Sequence, residues 1–141
     1  MSAHSHPAFV FESDFLDSVI SDRERLHAEP ELSLQEFRTA AFIAERLEHL
    51  GFETLRIGST SVVGVLRNGD GPVIAYRADT DGLPVEEQTG LPYASQATAM
   101  LNGTEVPVMH ACGHDVHMAV GLGTARRLSE SMKHWRGTVL F

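Results

Sequence analysis

The sequence predicts an α/β fold, a mixed sheet with helices packed against it. Three observations carry that expectation. Apolar residues recur at helical spacing in two stretches ahead of residue 51. Short runs rich in β-branched residues follow, between residues 52 and 76. A further helical stretch after residue 114 then leads into an apolar run from Gly137 to Phe141. Helix, strand and helix alternating in this way make one layered domain rather than a bundle or a sandwich.

The elements are read in chain order. Residues 1–12 are expected to be a flexible leader, with His4 and His6 as exposed tail residues, and residues 13–141 to form one folded unit. From Ser13 to His27, Phe15, Leu16, Val19, Ile20 and Leu26 lie on one helical face, with acids early and Arg23 and Arg25 late. Pro30 marks a break. Ser33-Leu34-Gln35-Glu36 has the form of a capping box, so a second helix is expected to begin at Ser33, bury Phe37, Ala40, Ala41, Ala44 and Leu47, and end on a C-cap glycine at Gly51. The connector from Leu26 to Ser33 is polar and reads as a helix–helix link.

Strands are expected at 52–57, 61–67 and 73–76. The turn signal Asn68-Gly69-Asp70-Gly71 predicts that the last two pair as a hairpin. That second strand runs into Arg77-Ala78-Asp79-Thr80-Asp81, whose alternating acids lie where α/β sheets gather functional groups. Residues 84–108, with Pro84, Pro92 and Pro107, read as a long loop in which Glu86 and Glu87 are solvated. A helix is expected from an Asp115 N-cap to about Met132, with Gly121 and Gly123 allowing close packing and Arg126 and Arg127 as surface charges. The run from Gly137 reads as a buried strand that stops without a closing turn, which predicts a truncated domain with an unpaired edge and a tendency to associate.

The totals exclude several classes. A net charge of -8 with no basic run argues against a nucleic-acid partner. One cysteine excludes an internal disulfide. No signal peptide pattern and no membrane-length apolar run is present, so a cytoplasmic protein without a membrane partner is expected.

The chemistry concentrates in Met109-His110-Ala111-Cys112-Gly113-His114-Asp115-Val116-His117. This stretch holds the single cysteine and three of the eight histidines. Thiolate and imidazole are ligands for zinc or a similar transition ion. Cys112 and His114, two residues apart on a loop that enters a helix, can be offered to one site. A helix N-terminus also favours the thiolate.

Three stretches, RLHAEPELSLQEF (25–37), YRADTDGLPVEEQTGLPYAS (76–95) and MHACGHDVHMA (109–119), together resemble the amidohydrolase branch of the aminoacylase/carboxypeptidase metallopeptidase superfamily. That branch includes hippurate hydrolases, N-acyl-amino-acid amidohydrolases and indoleacetyl-amino-acid hydrolases. The resemblance runs from about residue 13 to residue 141. It implies the N-terminal part of a metallopeptidase catalytic domain, with the rest of that domain and a smaller dimerisation domain missing. It implies two divalent metal ions, zinc or manganese, with Cys112 and His114 as ligands. It implies that Asp81 serves catalysis by orienting a metal-binding group. Asp79, His110, Asp115 and His117 lie in the motifs without an assigned ligand role. The implied substrate is a small N-acyl amino acid of the hippurate kind, and the implied assembly is a homo-oligomer. A metal lowers the pKa of water and polarises the amide carbonyl, while a carboxylate moves the proton. In the family that carboxylate comes from a Glu-Glu pair beyond the strand beginning near Gly137. Two rival readings follow for the chain alone: a non-catalytic metal-binding or interaction module, and a thiol sensor built on Cys112.

Overall fold

A computed structural model describes residues 12–141. The expected leader and its His4 and His6 therefore lie outside the described residues, apart from Glu12. Three helices, α1 (Ser13–Ala28), α2 (Phe37–His49) and α3 (His114–Glu130), accompany six strands. These are β1 (Glu53–Ile57), β2 (Ser61–Asn68), β3 (Val73–Ala75), β4 (Thr98–Leu101), β5 (Thr104–Pro107) and β6 (Gly137–Leu140). The α/β class with a mixed sheet is as expected. The core joins Leu26 of α1, Phe42 and Leu47 of α2, Phe52, Leu66 of β2, Met118, Leu122 and Ala125 of α3, and Val139 of β6.

The second helix starts later than its sequence predicts. Leu34 adopts a left-handed conformation at φ 65°, and Gln35 N–H bonds back to the Leu32 carbonyl, so the segment after Ser33 is a turn. The cap comes instead from Glu31. Its carboxylate accepts the Thr39 N–H at 2.8 Å, the Thr39 hydroxyl at 2.9 Å and the Arg38 N–H at 3.2 Å. Burial opposes ionisation of Glu31, but these donors outweigh it and hold its pKa below the ordinary value. The shift of start rotates the buried face: Phe37 is 56% exposed and Ala41 is exposed, while Thr39 and Phe42 are buried. The C-terminus is as expected. Gly51 sits at φ 83°, its N–H bonds the Glu48 carbonyl, and Phe52 N–H bonds the Leu47 carbonyl. That is a Schellman motif, with Phe52 and Leu47 both buried against each other's turn.

The strand order corrects the predicted hairpin. β1 and β2 form the antiparallel hairpin, β6 pairs antiparallel with β2, and β3 pairs parallel with β6, giving β1-β2-β6-β3. β6 thus separates the two strands expected to be neighbours. The Gly71–Pro72 corner makes room for it: Thr138 N–H bonds the Pro72 carbonyl at 2.9 Å, and a Cβ on Gly137 would lie 2.3 Å from that oxygen. The final strand is therefore central and paired on both sides. The two edges are β1 and β3, and on β3 Val73 and Ile74 are 65% and 63% exposed.

The region read as a long loop contains a hairpin. β4 and β5 pair around Asn102 and Gly103, at φ 51° and 82°. Asn-Gly with positive φ at both positions is a tight hairpin turn. Helix α3 crosses α1 closely, as its glycines predict. A Cβ on Gly123 would meet Val19 at 2.8 Å, and one on Gly121 would meet Tyr76 at 2.8 Å. Arg126 and Arg127 are more than surface charges. Both guanidinium groups lie over the Phe15 ring, and Arg126 also donates to the Ser18 hydroxyl, joining α3 to α1. No helix among the described residues is long and apolar enough to cross a membrane.

Candidate metal centre

The chain from β3 continues through Arg77 to Leu83 as an extended segment. It is held by two bridges, Leu32 with Gly82 and Leu83 with Met109. Gly82 N–H bonds the Glu31 carbonyl, and Leu83 and Met109 exchange both backbone hydrogen bonds. A Cβ on Gly82 would collide with Pro30 and Val108, both at 2.9 Å, so the approach is tight. These contacts carry Asp81 to the loop that enters α3.

There Asp81 and His114 meet. His114 Nδ1 donates to the Asp81 carbonyl at 2.9 Å and lies 3.1 Å from its carboxylate Oδ1. A proton held on Nδ1 leaves the lone pair on Nε2, the arrangement by which a backbone carbonyl or a carboxylate prepares a histidine for a metal. The Cys112 thiol is exposed two residues earlier. Between them Gly113 caps α3 in a left-handed conformation at φ 77°. Val116 and His117 N–H groups bond its carbonyl. The cap is thus Gly113, not Asp115 as the sequence suggested, because the Asp115 side chain is drawn inward instead. Asp79 pairs with Arg77 rather than joining Asp81 on His114. The His117 ring stacks on His114 with centroids 6.2 Å apart.

The donor chemistry fits part of a divalent metal site. Cys112 and His114 Nε2 can supply a thiolate and an imidazole, with Asp81 fixing the imidazole. Among the described residues, no three His, Cys, Asp or Glu side chains converge to hold an ion. Catalytic zinc sites use three protein ligands or more, so the pair is an incomplete set. A space of about 460 Å³ opens beside Asp81, lined by Glu36, Tyr76, Asp79, Met118 and Phe141 among others. The donor pair itself lies outside this lining.

Behind the donors lies a buried charged network that the sequence reading missed. Asp115 is 1% exposed and His27 is 4% exposed. His27 Nδ1 lies 2.8 Å from Asp115 Oδ2, and its Nε2 lies 3.0 Å from Glu87 Oε1, both within hydrogen-bonding distance. Arg23 Nε lies 2.9 Å from the same Asp115 oxygen, and its guanidinium covers the Tyr93 ring. Glu87, expected to be solvated, has a side chain with 0% exposure. It also accepts from the Thr89 hydroxyl and the Ser95 N–H. Burial opposes ionisation of Glu87, but the Thr89 hydroxyl, His27 and the Ser95 N–H outweigh it and bring its pKa down to about 2. His110 is buried alongside, and both its ring nitrogens lack a hydrogen-bond partner among the described residues. Burial pushes its pKa down, against the pull of the Asp115 carboxylate. His27 and Glu87 both lie inside the motifs quoted above. Their sequence signal was motif membership, since nothing local says that residues 60 and 88 positions apart will touch.

An α/β domain that presents a histidine anchored on Asp81 and a thiol at a helix N-terminus is a candidate metal-binding domain. Comparison with known proteins defines the family. Residues 75–141 match the profile of Peptidase family M20/M25/M40. The chain is 44% identical over 130 residues to an N-acetylcysteine deacetylase of Bacillus subtilis, covering 90% of this chain and 32% of that protein. It is 42% identical over 125 residues to an N-acyl-L-amino acid amidohydrolase of Geobacillus stearothermophilus, covering 87% and 32%. A solved Bacillus subtilis structure, described as a dinuclear metal binding peptidase of the M20 family, superposes with a TM-score of 0.82 at 41% identity, over 92% of this chain and 35% of that one. Over residues 75–141 the chain matches the M20/M25/M40 peptidase family, and its likeness to these relatives runs along most of its length. It spans about a third of the length of the curated relatives it matches.

Proposed function

We propose that this chain contributes the Cys112–His114 half of the active site of a metal-dependent amidohydrolase that cleaves the amide bond of N-acyl amino acids. The observation that carries the reading is the hold of Asp81 on His114 Nδ1, beside an exposed thiol, which prepares two donors at one helix end. Asp81 acts by keeping the proton on Nδ1, so that Nε2 stays available. Gly113 turns the loop so that both donors precede the body of α3. A divalent ion bound there would supply polarisation of the acyl carbonyl and acidification of a water. Relatives named for N-acetylcysteine and N-acyl-L-amino acids support small N-acylated amino acids as the substrate class, with acetyl and hippurate-like benzoyl groups as the substrates to compare. Zinc suits the thiolate–imidazole pair, and manganese suits the oxygen neighbours.

The test is metal content, together with hydrolysis of N-acetyl and N-benzoyl amino acids, for a protein containing this chain in a length typical of its relatives. Turnover that needs a divalent ion and is lost in Cys112→Ala is the expected result. Metal-replete protein with no hydrolysis of any N-acyl amino acid would sink the reading. One observation favours a second reading for the 141 residues by themselves. No third donor converges on the pair among the described residues, so the chain alone acts as a metal-binding module without turnover.

A further inference from the structure

The donor pair sits on a single turn, and that turn is anchored from behind. Asp115 follows His114 directly and points the opposite way, into the protein, where it is 1% exposed. One oxygen, Oδ2, takes both the His27 Nδ1 contact at 2.8 Å and the Arg23 Nε contact at 2.9 Å. The other oxygen, Oδ1, is buried without a partner among the described residues. The grip on Asp115 therefore comes from α1 through these two side chains. His27 is in turn held on its far side by Glu87 at 3.0 Å, and Glu87 ties in the Ser95 backbone at 2.6 Å. Ser95 closes the circuit: its hydroxyl donates to the Val108 carbonyl at 2.6 Å, next to the strand-like pairing of Met109 that leads into the donor loop. The loop from Met109 to Asp115 is thus pinned at both ends by one network centred on His27.

We infer that His27 and Arg23 are positioning residues for the Cys112–His114 donor pair, acting through Asp115. The inference rests on the metal-ligand reading above and extends it to two α1 residues that touch neither donor. A helix turn fixed at Asp115 leaves His114 little freedom to leave Asp81. Without the clamp, the first turn of α3 frays and His114 Nδ1 is no longer held on Asp81. Outer contacts of this kind are worth about 10- to 100-fold in metal affinity at other protein sites.

The test compares wild type, His27→Gln and Arg23→Met in this chain. Arg23→Met keeps the aliphatic stem that packs in place, so it serves if the His27 variant does not fold. Two readouts are taken on folded protein. One is cobalt(II) affinity with the thiolate-to-cobalt absorption band that reports Cys112. The other needs no metal: nitrogen-15 NMR of the His114 ring, which distinguishes a proton on Nδ1 from one on Nε2. The expected result is a 10- to 100-fold loss of cobalt affinity, a weakened thiolate band, and a shift of the His114 proton from Nδ1 toward a mixture of tautomers. Variants that melt earlier but bind cobalt with wild-type affinity and keep the His114 proton on Nδ1 would overturn the inference, because the network would then serve stability alone. Wild-type protein whose cobalt affinity is unchanged by Cys112→Ala would instead overturn the metal-ligand reading. The His114 tautomer would still judge the clamp.

Discussion

Two groups of side chains stand back to back at the start of α3, built from the same kinds of residue and put to opposite uses. On the outer side, Cys112 is exposed and His114 uses one ring nitrogen on Asp81. On the inner side, His27 uses both ring nitrogens on carboxylates, and the side chains of Asp115 and Glu87 have almost no exposed surface. The difference shows that residue type alone does not mark a ligand. A histidine whose hydrogen-bonding capacity is spent serves as scaffold, and one with a nitrogen to spare can bind. Charge buried inside needs a partner, whereas a donor at the surface keeps water until a ligand displaces it.

The comparison is broken most severely from the inside. Asp115→Ala would leave Arg23 and His27 facing an empty space, and removing one partner of a buried pair costs about 3–5 kcal/mol. Urea unfolding of this variant against wild type measures it, and a loss below about 1 kcal/mol would mean the network is weakly coupled to the fold. From the outside the effect falls on binding. Cys112→Ala should abolish the thiolate-to-cobalt band while changing unfolding free energy by no more than about 0.5 kcal/mol, because the side chain is exposed. Asp81→Ala should weaken metal binding by about 10-fold without abolishing it, since the carboxylate contact to Nδ1 is lost while the Asp81 backbone carbonyl still accepts its proton. Isothermal titration with zinc separates these two outcomes.

The smallest effect sharpens the inner half by pH. The pKa of Glu87 is lowered from 4.5 to about 2 in the folded protein, so its ionised form favours folding. That contribution is fully present above about pH 4.5 and is lost as pH falls toward 2. Denaturation midpoints measured from pH 6 to pH 2 should therefore fall in wild type, with a shallower fall in Glu87→Gln. Equal slopes would remove Glu87 from the acid response.

Legibility followed the range of the interaction. The Gly51 helix stop was readable because its hydrogen bonds return to Glu48 and Leu47, within one turn. The Asn102-Gly103 hairpin is equally local, but the prolines at 84, 92 and 107 give its stretch the composition of a loop. Ser33-Leu34-Gln35-Glu36 had the letters of a capping box and failed, since Glu31 reached the Thr39 N–H from outside the motif. Of the candidate site, Cys112, His114 and Asp81 were legible from motif resemblance. The roles of His27 and Glu87 were not, because a polar residue between two elements looks the same whether it meets water or a partner.

By itself the sequence determined where the three helices and the strands β1, β2, β3 and β6 fall, and the dense donor stretch from Met109 to His117, all of which depend on residues near one another in the chain. Tertiary structure decided what those parts became. It put β6 between β2 and β3, because the Pro72 carbonyl and the Gly64 backbone offered hydrogen bonds to a strand more than sixty residues later in the chain. It also turned His27 inward and left Cys112 outside, because α1 packs across α3 at Gly123 and brings His27 and Arg23 onto Asp115. A turn signal reports that the chain reverses, but the partner it reverses toward is settled only when distant backbone and side-chain groups compete to leave no buried charge unpaired.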